Sequence, residues 1–205
     1  MMNVSKQRLL LATRNAHKTR EVREILGDGF EVQDLTARPD LPEVDETGET
    51  FEANARLKAL SASALYDGWV LADDSGLEVD ALGGDPGVRS ARFAGEDATM
   101  EENRVLLLRR LEGAEGNHRS ARFRCVLALA WNGEVVRTFD GTVEGIIGKS
   151  ERGAGGFGYD PLFLPEGAGR TFAEMTADQK HALSHRGRAM AALAHFLRAA
   201  ALRPD

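Results

Sequence analysis

Two long runs rich in apolar residues, RSARFRCVLALAW (119–131) and EVVRTFDGTV (134–143), are separated by Asn132 and Gly133 alone. Asn and Gly accept φ > 0 at both central positions of a two-residue turn, whose twist matches that of paired strands, so the pattern predicts an antiparallel hairpin. The chain starts differently. RLLLAT (8–13) is a short apolar run that stops at TRNAHK, after which Val22, Ile25 and Leu26 recur at helical spacing: strand, tight turn, helix. Gly27 and Gly29 punctuate that helix, and EVQDL (31–35) reads as a second strand. A strand–helix opening followed by a hairpin predicts an α/β fold on a mixed sheet.

Between these segments, Thr50 to Tyr66 holds no Pro or Gly and offers Phe51, Ala55, Leu60 and Ala62 for a buried face, so a long helix is expected, ended by Gly68. WVLADDSG (69–76) reads as a buried strand running into a turn, with LEVDAL (77–82) as an adjacent strand. GGDPGVRSARFAGED (83–97) is a Gly/Pro-punctuated loop, and Met100–Leu111 a helix with Val105, Leu108 and Leu111 at helical spacing. From Ala177 through Leu202 the tail is helical, with an interruption at LSHRG.

With 205 residues, 42% hydrophobic and 28% charged, the chain is expected to form a single soluble domain, residues 1–7 being a short extension. Its net charge of −6 repels nucleic acid and anionic membranes, so an anionic ligand has to be captured locally. Cys125 stands alone in an apolar run, which excludes an intramolecular disulfide. The apolar stretch before Thr13 is too short for a signal sequence or a span of ~20 residues. A cytoplasmic location is expected.

Four segments can carry chemistry. In the first, Thr13, Asn15 and Lys18 put a hydroxyl, an amide and an ammonium at a helix start, where phosphate oxygens find donors and a favourable dipole. A plain Asn or Thr cap with a solvated lysine fits the same residues. It is neither a Walker A loop nor a GxGxxG turn. In the second, LADDSG, two carboxylates end an apolar strand; alternation sends Asp73 and Asp74 to opposite faces, one free to meet a metal or a water and the other supporting it. An Asx turn closing the strand is the other reading. Glu43, Asp45 or Glu46 of the acidic loop can add a second carboxylate. In the third, GGFGYDP, the glycines permit close backbone approach while Phe157 and Tyr159 offer faces for a flat ligand, or simply pack the turn. In the fourth, KHALSHRGRA, Lys180, His185 and Arg186 are spaced to converge at a helix start capped by Ser184, unless that basic end is only solvated. No HExxH, CxxC or nucleophile-elbow pattern occurs.

Taken together and in order, TRNAHK, ETGETFEANARLKA, LADDSGLEVDALGGDPGVRSARFAG, GGFGYDPLFLP, TFAEM and KHALSHRGRA resemble the inosine triphosphate pyrophosphatase family, the RdgB-like noncanonical purine NTP pyrophosphatases, over Leu9 to Leu197. The resemblance implies an elongated two-lobed α/β structure with a long mixed central sheet flanked by helices, a cleft between the lobes, and a homodimer. It implies Mg²⁺-dependent hydrolysis of ITP, dITP and XTP to the monophosphate and pyrophosphate, cleansing the nucleotide pool of deaminated purines, with no nucleic-acid or membrane partner. By the same resemblance, Thr13, Arg14, Asn15, Ala16, His17, Lys18 and Lys58 hold the triphosphate. Asp74 is the general base and a metal ligand, Glu46 the second metal ligand, and Ser75 a substrate contact. Phe157, Gly158, Tyr159, Asp160, Lys180, His185 and Arg186 recognise the base, with Phe157 stacking on it. One residue departs from the pattern: Arg14 stands where the family's TGN has glycine.

The implied chemistry follows from charge. Lys18, Lys58 and Mg²⁺ offset the triphosphate's negative charge while Asp74 orients or deprotonates a water. A donor near His185 and Arg186 pairs with the six-carbonyl of hypoxanthine or xanthine and is mismatched by adenine's amino group; guanine has to be rejected at its two-position. Two alternatives stand beside this reading: a non-catalytic purine-nucleotide-binding module, and a phosphatase of another class. The aspartyl-phosphate class needs D-x-D, whereas Asp73 and Asp74 are adjacent.

Overall fold

The computed structural model describes residues 7–42 and 44–200. Glu43 and Leu202 therefore lie outside the described residues, as does the extension apart from Gln7, which opens the first strand. In chain order the elements are β1 (Gln7–Leu11), α1 (Ala16–Leu26), β2 (Phe30–Asp34), α2 (Phe51–Ser63), β3 (Trp69–Val79), α3 (Met100–Arg110), β4 (Ser120–Trp131), β5 (Glu134–Ile147), β6 (Phe163–Pro165), α4 (Ala177–Leu183) and α5 (His185–Ala200).

The strands form one mixed sheet in the order β2-β1-β3-β4-β5-β6. β1 runs parallel to β2, with Leu9 opposite Val32, and parallel to β3, with Leu11 opposite Leu71. β5 and β6 are antiparallel, with Ile146 opposite Leu164. The hairpin expected from Asn132-Gly133 is present: their φ values of 49° and 77° are both positive, as a type I′ turn requires. β5 continues four residues beyond the apolar pattern, to Ile147.

β3 corrects the sequence reading. The two strands expected on either side of a turn at Asp73–Gly76 are one continuous strand, flanked by β1 and β4. The pairing with β1 runs over Trp69–Leu71, and beyond it the two carboxylates find cations instead of closing an Asx turn. The helices bring smaller corrections. On α2 the buried stripe is Phe51, Ala55, Ala59 and Ala62, while Leu60 is exposed; at ~100° per residue Leu60 falls off a stripe spaced four, four and three. On α3, Leu107 and Leu111 are buried and Val105 is exposed, being about 200° around the helix from Leu107. Thr99 and Glu102 close a capping box at the start of α3. The expected break in the tail falls at Ser184, whose extended backbone (φ −70°, ψ 157°) separates α4 from α5.

The chain divides into two compact units. Of the described residues, the first comprises 7–42, 44–74, 126–140 and 189–200 and buries Leu9, Leu10, Leu11, Val22, Val70, Leu71, Leu127 and Leu193. The second comprises residues 75–125 and 141–188, and its core joins Leu77, Val79, Leu107, Leu111, Phe123, Ile147, Tyr159, Phe163 and Phe172. Phe123 meets Phe163 edge-on with centroids 4.7 Å apart, a favoured aromatic geometry. Among the described residues no helix is long and apolar enough to cross a membrane.

Candidate active site

In the first unit, the turn after β1 is organised by its own side chains. Asn15 caps α1, its Oδ1 accepting from the amides of His17 (3.0 Å) and Lys18 (3.3 Å), while Thr13 Oγ1 accepts from the Asn15 amide at 3.1 Å. The capping reading of Asn15 therefore holds, but the solvated-lysine reading does not. Lys18, one turn into α1, is an ion-pair partner of the fully buried Asp73 carboxylate and also donates to the Asp73 carbonyl at 3.3 Å. Ala16 and His17 are exposed, and His17 Nδ1 lies 3.3 Å from Arg20 Nη2.

Arg14 reaches the segment that follows β2. Its guanidinium donates to the carbonyls of Leu35 at 2.9 Å and Leu41 at 3.2 Å, across the segment that follows β2. Its φ is not positive, so this backbone needs no glycine at position 14.

The opposite side of β3 carries the second charged group. Lys58 Nζ donates to Asp74 Oδ1 at 2.9 Å and to Glu46 Oε1 at 2.6 Å. Burial pulls the Lys58 ammonium down, but Asp74 and Glu46 together hold it above its ordinary value. Burial pushes Asp74 above the usual carboxylate range, against the pull of Lys58 and Lys18 and with a further push from Glu46. Asp74 Oδ2 is buried and has no hydrogen-bond partner among the described residues. A buried carboxylate oxygen left unpaired is costly, and a bound cation or water satisfies it. No group of three or more His, Cys, Asp or Glu able to hold a metal converges among the described residues. Two hard oxygen donors still suit Mg²⁺, which takes one or two carboxylates and completes its shell with water and phosphate oxygens. Asp45 is exposed and Glu43 is outside the described residues.

Sequence reasoning passed over Asn54, which is fully buried one helical turn before Lys58. Its Oδ1 accepts the Gly48 amide at 2.7 Å and so fastens the loop that bears Glu46. The i, i+4 spacing from Lys58 was the available signal.

The second unit holds the other predicted residues. Ser75, which follows Asp74 along β3, accepts from Arg186 Nη2 at 2.8 Å. Asp160 is buried, and its Oδ2 accepts from Lys180 Nζ at 2.7 Å and from the Phe157 amide at 2.8 Å. Lys180 Nζ stands 4.8 Å and Arg186 Cζ 5.7 Å from the Phe157 ring centroid, within cation–π range. Lys180 and Arg186 therefore gather around Phe157, as expected, and Ser184 caps α5 by accepting the Gly187 amide at 3.0 Å. His185 is buried, its ring stacked on Phe123 at 4.8 Å.

Tyr159 corrects the expectation of an open aromatic face. Only 3% exposed, it packs in the core and its hydroxyl donates to the Ser90 carbonyl at 2.9 Å. Burial pushes that hydroxyl well above its ordinary pKa. Gly158 sits where its carbonyl accepts from Arg104 Nη1 at 3.1 Å, a contact that a lone arginine on a helix surface does not announce in sequence.

Comparison with known proteins places the whole chain. Residues 9–196 match the model of the Ham1 family. A dITP/XTP pyrophosphatase of an Exiguobacterium strain is 52% identical over 184 residues, covering 89% of this chain and 93% of that protein. The dITP/XTP pyrophosphatase of Geobacter sulfurreducens is 50% identical over 191 residues, 93% of this chain and 96% of its own length. Among solved structures, a HAM1 protein from Coxiella burnetii superposes with a TM-score of 0.84 at 40% identity, covering 94% of this chain and 98% of that one. The Staphylococcus aureus Ham1 protein gives 0.83 at 38% identity, covering 94% and 99%. The match spans nearly the whole chain, and the resemblance read from its motifs holds: this chain is a member of the Ham1 family.

Proposed function

We propose that this protein hydrolyses the deaminated purine nucleoside triphosphates ITP, dITP and XTP to the monophosphate and pyrophosphate, with Mg²⁺. The observation that carries the reading is the buried Asp74, with one oxygen held by Lys58 and the other unpaired. An ammonium has three donors, and two of those on Lys58 are engaged by Glu46 and Asp74, so the third remains for a phosphate oxygen. Lys18, anchored on Asp73, presents a second ammonium from the helix start.

Asp74 and Glu46 would hold Mg²⁺, which offsets phosphate charge when bound. Asp74 Oδ2 accepts a proton from, or orients, the water that attacks the α-phosphorus. Its raised affinity for protons, a result of burial, strengthens it as a general base. Phe157 offers a ring face to the purine, and the donors of Lys180 and Arg186 beside it favour a six-carbonyl over an amino group. A donor left facing the wrong group costs about 1–3 kcal/mol, or one to two orders of magnitude for each contact. The names of the relatives support this substrate class. The family resemblance extends the reading to a cytoplasmic homodimer, which sedimentation of the purified protein tests.

Pyrophosphate release measured on ITP, dITP, XTP, ATP and GTP, with Mg²⁺ and with chelator, tests the activity. Release from the deaminated nucleotides, strongly preferred over ATP and GTP and abolished by chelator, is expected. Asp74→Asn should lower kcat by roughly 10²–10⁴, the range for loss of a general base, while ITP binding persists. A wild-type protein that binds ITP and releases no pyrophosphate from neutral to alkaline pH with Mg²⁺ overturns the proposal.

A further inference from the structure

The segment from Phe157 to Asp160 is a four-residue turn closed by the Asp160 amide donating to the Phe157 carbonyl at 3.2 Å. Gly158, at the first central position, has φ 62°, while Tyr159, at the second, is not among the residues of positive φ. Positive φ at the first central residue alone defines type II′; positive φ at both defines type I′. The two types differ chiefly in which way the central peptide, Gly158–Tyr159, faces. Type I′ would put Tyr159 at positive φ, costly for an aromatic residue, and Arg104 adds its grip to that preference. From α3 its Nη1 grips the Gly158 carbonyl at 3.1 Å, while its Nε is paired with Glu151 at 2.8 Å. In a trans peptide the carbonyl and the N–H point in opposite directions, so anchoring the Gly158 carbonyl on Arg104 turns the Tyr159 N–H away from Arg104.

We propose that Arg104 is a positioning residue for purine recognition: it locks the II′ form of the Phe157–Asp160 turn and thereby presets the Phe157 ring and the Tyr159 amide for the base. The inference rests on the reading above that this turn takes the purine. Asp160 and Lys180 hold the start of the turn through the Phe157 amide; Arg104 alone among these side chains holds its central peptide. Without Arg104, the central peptide loses its side-chain anchor and fluctuates more widely, and part of the ordering needed for the base is transferred to the binding step. Lys18, Lys58 and Asp74, the phosphate-handling residues, are engaged with Asp73, Glu46 and each other, and pyrophosphate affinity serves as their control.

The test compares wild type, Arg104→Ala and Arg104→Lys. Calorimetric affinities are measured for inosine monophosphate and, separately, for pyrophosphate, alongside ITP kinetics and amide hydrogen exchange over residues 157–160. Arg104→Ala should weaken inosine monophosphate binding about tenfold, the order expected for losing a hydrogen bond from a charged donor, with pyrophosphate affinity moving less than about twofold. KM for ITP should rise about tenfold with kcat within about twofold, the split that marks lost ground-state binding. Arg104→Lys, which retains one donor for the carbonyl, should recover much of the loss, and exchange over 157–160 should quicken in Arg104→Ala without any ligand. Unchanged monophosphate affinity, equal losses for monophosphate and pyrophosphate, or no recovery in Arg104→Lys overturns the inference. A wild-type protein that fails to bind inosine monophosphate instead overturns the purine reading beneath it; the exchange data then still report whether Arg104 locks the turn.

Discussion

Lys58 bridges two carboxylates, with Lys18 also acting on Asp74, and replacing it with methionine tests what the bridging charge does. Lys58→Met keeps the length and the apolar stem while removing the ammonium that lies 2.6 Å from Glu46 and 2.9 Å from Asp74. The Asp74 side chain is 6% exposed and Glu46 28%, so Glu46 can turn to water and Asp74 cannot. Removing one partner of a buried pair costs about 3–5 kcal/mol because the other charge is left uncompensated. With Glu46 partly solvated, the lower end, about 3 kcal/mol, applies, and for a chain of this size that corresponds to a Tm lower by roughly 6–12 °C at pH 7 without metal. The cost also has a sign with pH. Asp74 already binds its proton more tightly when folded than when unfolded, and losing Lys58 raises its folded pKa further. The penalty is therefore present above that raised value and disappears as pH falls through it, when Asp74 becomes neutral. Thermal unfolding of wild type and Lys58→Met in chelator at pH 8, 7, 6 and 5 should give a Tm gap that narrows on acidification, and Lys58→Met with Asp74→Asn should restore most of the loss. A gap below about 2 °C, or one that is constant across this range, refutes the idea that Lys58 compensates a buried charge.

Two further predictions concern stability. Burial pushes Asp34 up, but hydrogen bonds from Thr36 and Thr19, with Arg23 nearby, hold it below the usual carboxylate range. Its stabilising contribution is then present above the unfolded value of about 3.9 and is lost as pH falls through the lower folded one, so Asp34→Asn should be less stable than wild type at pH 7 and nearly equal to it at the acid end of a urea–pH series. Gly187, in the first turn of α5, faces the His181 carbonyl so closely that a Cβ cannot be placed without moving backbone. Gly187→Ala should lower stability by about 1–3 kcal/mol, read as a lower urea midpoint at unchanged m.

Local signals carried much of the fold into the sequence. Asn132-Gly133 announced its hairpin because both residues accept positive φ, and the capped start of α1 was visible in Asn15. What stayed hidden depends on partners distant in the chain. DDSG has the composition of a turn, yet it continues the strand that starts at Trp69, and Lys18 and Lys58 arrive from two helices to match Asp73 and Asp74. Those two carboxylates take different lysines as ion-pair partners, Lys18 for Asp73 and Lys58 for Asp74. Leu60 belongs to the face expected to be buried, whereas the buried stripe of α2 is built on the smaller Ala59. Tyr159 has the composition of a ligand platform, but its hydroxyl finds Ser90 in the core. Asn54 and Arg104 act through single backbone atoms, Gly48 N and Gly158 O, and no composition rule points to such contacts.

Arg14 stands where relatives of this pattern are expected to have glycine, and its side chain makes the difference consequential. One guanidinium grips Leu35 O and Leu41 O together, so the stretch between them leaves and returns within the width of a single planar group. That stretch is free to vary in sequence and fixed in length: a residue inserted or deleted between Leu35 and Leu41 moves one carbonyl out of the fork's reach. In this chain the first turn thus also serves as a gauge for the segment that leads toward Glu46.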